Sequence, residues 1–338
     1  MFGRNKWIVS AAALFAAWTS PAFSSPGASF EAAFDQTLGT ELRAPPDYSP
    51  AYTNTLERRI ALLADGSKGR IGVAAIDLAN GQELTVLGDQ RFPMASTSKI
   101  AIAATFLDGV EKGRWSLTSE FPLMIPVGSK PFSTAVAPVQ PGSYLSAQEL
   151  IERMITRSDN RATDALLAVV GGPEAVNRWV HKTAGIQDFQ ISRDIATLVR
   201  DDGEFDPATY IDQRDSATPA AMVELLTGLY RGRWLSDSSR AVILGAMERC
   251  ITGKRRIRAL LPANVTVAHK TGSLNNTSSD IGIIKTADGH AYAVAIYVTG
   301  QGSRLAREAR IAEIARAIYD GYSVMAANDN SRWVNAHY

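Results

Sequence analysis

The chain has 338 residues, 46% apolar and 20% charged, with a formal net charge of +1. That is a globular composition, enough for one large domain or two compact lobes. The near-neutral balance argues against nucleic acid or a charged membrane surface as partner. The single cysteine, Cys250, rules out an internal disulfide, and His181, His269, His290 and His337 lack metal-ligand spacing. No metal and no cofactor is expected.

In chain order, Arg4 and Lys6 precede an apolar run over 7–18, and Ser20-Pro21-Ala22-Phe23-Ser24 follows with small residues at alternate positions. A basic head, a short apolar run and a small-residue exit describe a secretory signal peptide over 1–24, cut near Ala22 or Ser24. The run is short for a bilayer span, so no stable membrane span is expected, and the mature chain is expected to be periplasmic or secreted. Its loss moves the formal charge to −1, because Arg4 and Lys6 leave with no acid. Residues 25–50, rich in Ser, Pro and Ala, read as a linker.

A helix over 51–64 would put Leu56, Ile60 and Leu63 on one face. Strands over 71–78 and 83–87 are joined through Asn80-Gly81, a strong hairpin signal. The stretch 94–261 is mainly helical, with an apolar segment over 241–247 that marks Cys250 as a buried structural thiol. Strands return over 265–271, 281–286 and 291–298, and a closing helix over 304–324 lines up Ile311, Ile314, Ala315 and Ile318. A polar tail occupies 326–338. The expectation is an α/β (α+β) domain over 51–325: a five-stranded antiparallel sheet built from both chain ends, flanked by terminal helices, with an inserted all-helical lobe. The cleft between sheet and lobe is the natural place for a site.

Three short motifs stand out. Ser96 and Lys99 are three apart at the start of an apolar helix, so they share a face. A serine hydroxyl is a weak nucleophile until a base takes its proton, and a desolvated lysine can be that base. Alone, Ser96 would be an ordinary helix cap. A lysine entering an apolar, buried helix, however, demands a reason. Ser158-Asp159-Asn160 falls in a helix–helix connection, where a hydroxyl can relay a proton and an amide can hold a substrate carbonyl. Lys270-Thr271-Gly272-Ser273 ends a strand, offering a cation and hydroxyls to a carboxylate, with Gly272 letting a substrate lie close to the backbone.

In this order the motifs are similar to the S-x-x-K, S-D-N and K-T-G set of class A β-lactamases and penicillin-binding proteins. Further matches are Gly171-Gly172-Pro173, the stretch from Arg214 to Met222, Ala259-Leu260-Leu261-Pro262, and Asp280 opening the next strand. The resemblance covers about 55–320. It implies a serine hydrolase acylated by β-lactams at Ser96, with Lys99 as general base or relay and Ser158 passing a proton to the lactam nitrogen. Asn160 would hold the acylamino side chain, Lys270 and Thr271 the substrate carboxylate, and the N–H groups of Ser96 and Ser273 the oxyanion. The partner is a small β-lactam or cell-wall peptide, and the chain is expected to act as a monomer. Arg256 or Arg258 would supply the arginine that many members place on a later strand, since 277–279 hold none.

One loop departs from the family. Class A enzymes carry R-x-E-P-x-x-N before the position of Arg214, and its glutamate activates the deacylating water. Here, with Arg193 in register, Ile195 stands at the glutamate's place, and Asp194, Asp202 and Glu204 are the candidate water bases. The alternatives to a β-lactamase are a D-alanyl-D-alanine peptidase or esterase-like hydrolase, and a penicillin-binding sensor that does not turn over.

Overall fold

The computed structural model describes residues 55–66 and 68–335, with side chains as far as Met325. The signal-peptide and linker expectations lie outside the described residues. The first helix, α1 (Thr55–Leu63), buries Leu56 and Ile60. Strands β1 (Ile71–Asp77) and β2 (Glu83–Val86) pair antiparallel. Their connection is longer than a two-residue turn. The Asp77 carboxylate accepts from the Ala79 amide, and Gly81 takes a left-handed φ of +80°. Strands β8 (Thr266–Leu274), β9 (Thr277–Lys285) and β10 (Ala291–Thr299) come 180 residues later, and the sheet order is β2-β1-β10-β9-β8. The two ends of the chain therefore meet in the middle, where β1 pairs with β10 from Ile71–Val298 to Asp77–Tyr292.

Every residue of β10 is buried, so the centre of the sheet is covered on both faces. Strand alternation splits its apolar residues between two layers. Tyr292, Val294, Ile296 and Val298 pack with Leu56 and Ile60 and with Ile311, Ile314 and Ile318 of the closing helix α9 (Arg304–Asn335). Ala293, Ala295 and Tyr297 belong to the other layer, which is continuous with the helical lobe. The backbone of α9 runs eleven residues past the expected end at 324, through sequence with no glycine or proline to stop it.

The inserted segment holds α2 (Lys99–Glu111), α3 (Ala147–Thr156), α4 (Asn160–Val170), α5 (Pro173–Arg178), α6 (Ile195–Arg200), α7 (Pro219–Arg231) and α8 (Asp237–Glu248). It is not all helix. A hairpin of β4 (Glu120–Pro126) and β5 (Val139–Ser146) leads into α3. Pro122, Pro126, Pro141 and Gly142 make those segments poor helix and acceptable edge strand. A second small sheet joins β3 (Phe92–Pro93), β7 (Ser216–Ala217) and β6 (Phe189–Gln190), tying the chain just before Ser96 to the loop around α6. Helix α2 is apolar nearly all round and buried from Lys99 to Gly109.

Candidate active site

Ser96 lies on a 3₁₀ turn, Ala95–Ser98, that feeds directly into α2. The neighbouring side chains turn inward: Thr97 donates to the Met94 carbonyl and meets the Tyr297 hydroxyl at 3.0 Å, while Ser98 donates to the Ala95 carbonyl. Ser96 is left half-buried at the surface of the turn. Ala95 and Ser158 both adopt left-handed φ, +49° and +58°. Such conformations cost a non-glycine residue about 1–2 kcal/mol and concentrate at functional sites.

Lys99 is fully buried and its Nζ lies 2.9 Å from the Ser158 carbonyl, 3.2 Å from Ser158 Oγ and 2.7 Å from Asn160 Oδ1. Lys270 is also fully buried, with Nζ 3.0 Å from Ser158 Oγ and 2.9 Å from the Thr271 carbonyl. One hydroxyl therefore sits between two amines. Among the described residues no carboxylate pairs with either. Two desolvated cations sharing a hydroxyl repel, which favours discharging one of them. Burial, then the charge of Lys270, holds Lys99 well below the ordinary lysine range, against opposing pulls from Asp164 and Asp159. Burial lowers Lys270 only to about 8, with Cys250 and Asp280 working to keep its charge. The arrangement suits a neutral Lys99 beside a charged Lys270, with the Ser158 hydroxyl able to pass a proton between them. Asn160, whose Oδ1 accepts from Lys99, keeps its amide N–H groups for another partner.

The sequence Lys270–Ser273 lies within β8, which continues to Leu274, rather than at a strand end. A Cβ on Gly272 would come within 2.7 Å of the Met94 carbonyl and 3.2 Å of Ala95, so only glycine lets β8 lie against the Ser96 turn. Thr271 Oγ1 is 2.7 Å from Thr252 Oγ1, which in turn is 3.2 Å from the buried Cys250 Sγ. Of the two arginines considered, Arg256 enters the site. It is fully buried, gives Nη1 to the Gly272 and Ser279 carbonyls, and gives Nη2 to Ser273 Oγ at 2.7 Å. Glu308 of α9 accepts from its Nε and Nη2. All five donors are occupied, so Arg256 holds the strand and orients Ser273. Arg258 instead bonds the carbonyls of Glu248 and Val267.

The departing loop is built around two buried acids. Asp215 accepts from Arg193 Nε at 2.6 Å and from the Ser192 amide. Asp164 of α4 accepts from the amides of Ile195 and Ala196 at 2.7 and 2.9 Å, anchoring the first turn of α6. Burial, reinforced by nearby Asp194, pushes the Asp164 carboxyl up to about 7 despite those amides and Lys99. Ile195 is buried there. Asp194 caps α6 through the Thr197 amide, Asp202 accepts from the Asn275 amide, and Glu204 pairs with Arg214. Behind Lys270, the buried His269 ring meets Asp280 at 2.9 Å, an arrangement no local pattern announces. Asp164, Thr252 and Glu308 were likewise not legible as site residues, because each acquires its role from a partner distant in sequence.

Known proteins share this architecture. The model of the beta-lactamase enzyme family matches residues 55–322. The chain is 32% identical to the β-lactamase CTX-M-25 of Escherichia coli over 277 residues, 80% of this chain and 91% of that one. A crystal structure of a β-lactamase from Chitinophaga pinensis superposes with a TM-score of 0.70 at 29% identity, over 80% of this chain and all of the other. An ancestral class A β-lactamase gives a TM-score of 0.67 at 34% identity, over 79% of this chain and 99% of that one. A family match across four-fifths of the chain, on a sheet assembled from both ends of the matched region with a serine–lysine turn packed against its β8 strand, has one meaning: the chain belongs to the beta-lactamase enzyme family.

Proposed function

We propose that the protein is an exported class A-type serine hydrolase that opens β-lactam rings through an acyl-enzyme on Ser96. The observation that carries this reading is the Lys99–Ser158–Lys270 cluster beside the Ser96 turn. Lys99 takes the Ser96 proton as Oγ attacks the lactam carbonyl, and the negative oxygen is received by the N–H groups of Ser96 and Ser273. The proton then travels by Ser158 to the lactam nitrogen as the C–N bond breaks. Asn160 donates its amide to the acylamino carbonyl of the substrate. Lys270 and Thr271 bind the substrate carboxylate, and Gly272 leaves room for it. In this reading residues 1–24 are the export signal and 25–50 the linker to a monomeric catalytic domain over 51–325.

A fluorescent penicillin tests it. Intact-mass analysis is expected to find one adduct, absent in Ser96→Ala, and stopped-flow acylation in folded Lys99→Ala is expected to slow by about 10²–10⁴. An adduct elsewhere, or acylation of Lys99→Ala at the wild-type rate, rejects the assignments.

One observation favours a second reading, a peptidase or penicillin-binding protein that holds its acyl group: Ile195 occupies the place of the loop glutamate. Nitrocefin separates the two readings. Many turnovers support the β-lactamase, and a single burst supports the other.

A further inference from the structure

We propose that a cavity remote from Ser96, between the end of α2 and the α5 segment, binds a phosphate group, carried as inorganic phosphate or on a small organic phosphomonoester. The cavity has a volume of about 260 Å³, and Asp108, Arg114, Arg178, Trp179 and Lys182 stand in its wall. Asp108 lies nine residues beyond Lys99, about 14 Å along α2, so this place is separate from the catalytic cluster. The site owes nothing to the chemistry proposed for Ser96.

An irregular piece of helix forms much of the wall. At Arg178, α5 opens into a π turn, Trp179–Thr183, in which the Ala184 amide reaches back five residues to the Trp179 carbonyl at 3.1 Å. Such turns are rare and gather at functional sites. Ala175, Arg178, Trp179 and Lys182 follow at i, i+3, i+4 and i+7, so one face of the segment brings two cations and an indole to the cavity. The Trp179 ring stands edge-on against Trp234, with centroids 5.9 Å apart. Trp179 is 5% exposed, and its buried Nε1–H has no acceptor among the described residues. A donor shut away from water without an acceptor is costly, and a ligand oxygen removes that cost.

The charges in the wall point to the same ligand. Arg178 and Lys182 are exposed at the rim, and among the described residues neither meets a carboxylate. Arg114 stacks over Trp115, 4.7 Å from the ring centroid. Asp108, the one acid of the wall, is already held by Lys112 at 2.6 Å, with Arg114 at 3.9 Å. Guanidinium, ammonium and indole N–H groups donate and cannot accept, so the complementary ligand is negative and rich in acceptors. Two unpaired cations balance a phosphate dianion, the main form of a monoester at about pH 7. A carboxylate, with one charge, leaves a cation unbalanced. The cavity's 260 Å³ falls just below the usual range of ligand pockets, about 300–1,000 Å³, which suits a phosphate with a small organic group.

Calorimetric titration of the full chain at constant ionic strength tests the site, with sodium phosphate, glycerol phosphate and, as the singly charged control, acetate. One phosphate per chain is expected, with a Kd below about 1 mM and acetate at least about tenfold weaker. Arg178→Ala and Lys182→Ala, checked for folding by thermal melting, are each expected to weaken phosphate about tenfold through the loss of a charge-assisted hydrogen bond. Arg58→Ala, which removes an exposed cation of α1, is expected to leave it within about twofold. By NMR, the indole N–H resonance that Trp179→Phe removes is expected to move in wild type as phosphate saturates. The two rim variants test the site even where Trp179→Phe fails to fold. Tighter binding of glycerol phosphate identifies an organic ligand and equal or weaker binding the free ion, and both uphold the site. A titration that does not saturate, an equal loss in Arg58→Ala, or an unmoved Trp179 indole overturns the proposal.

Discussion

Ser158 Oγ, placed between Lys99 and Lys270, makes the two lysines unequal partners. Lys99 gains most from losing its proton, while in the proposed mechanism Lys270 keeps its own to attract a substrate carboxylate. That division predicts a pH signature. Below about 8 Lys270 is an ammonium; as pH rises through about 8 it discharges, so affinity for carboxylate-bearing substrates falls. KM for benzylpenicillin acylation is expected to rise about tenfold per pH unit above that point, while a penicillin methyl ester shows no such limb. A flat KM up to pH 10 would separate Lys270 from carboxylate binding. The eight residues singled out in sequence, Ser96, Lys99, Ser158, Asn160 and Lys270–Ser273, gather around the Ser96 turn. They were legible because each motif is a few contiguous residues whose chemistry is visible at short range. Arg256 was half legible, as one of two arginines. Its occupation by Glu308, 52 residues on, depends on where α9 crosses the sheet.

Among the elements, α6 shows how a loop can be rebuilt on one buried carboxylate. Its six residues are too short to persist alone. The amides of Ile195 and Ala196, among the donors a helix start leaves unpaired, are satisfied by Asp164 from α4. Asp164→Ala strands both amides. The expected cost is about 2–6 kcal/mol in urea unfolding, at roughly 1–3 kcal/mol for each buried group left unpaired. Asp164→Asn, with one acceptor oxygen, should recover part of that loss. Unchanged stability in Asp164→Ala would mean that the loop holds α6 without it. The β1–β2 hairpin and α3 were readable because alternation, turn residues and helical periodicity agree there. The β4–β5 hairpin was missed because its exposed strands show little alternation, with an observed burial pattern of mostly exposed or half-buried residues. Its strand character comes from mutual pairing, which is a tertiary fact.

At the scale of the whole molecule, the sheet is closed from both chain ends, so the last helix is as much a part of the core as the first strand. The five strands were legible in outline because β-branched runs sit at both ends of the chain. Their order was not, because nothing local says that β10 lies between β1 and β9. This topology makes the C-terminal side of the chain unevenly sensitive to truncation. Ile311, Ile314, Ile318 and Tyr322 of α9 are each fully buried against the sheet face that also receives α1. Losing a buried aliphatic or aromatic side chain costs about 2–5 kcal/mol, and a domain's total stability is about 5–15 kcal/mol. A chain ending at Ser303 therefore forfeits more than the fold can spare, and leaves Tyr292, Val294 and Ile296 in water. It is expected to be recovered only as insoluble protein. A chain ending at Met325 keeps every one of those contacts and should melt within a few degrees of the full-length protein and label with penicillin at the same rate. Soluble, penicillin-reactive protein from the shorter truncation would show that α9 is a cover rather than a wall. Loss of folding in the longer one would place essential packing in the last turns of that helix.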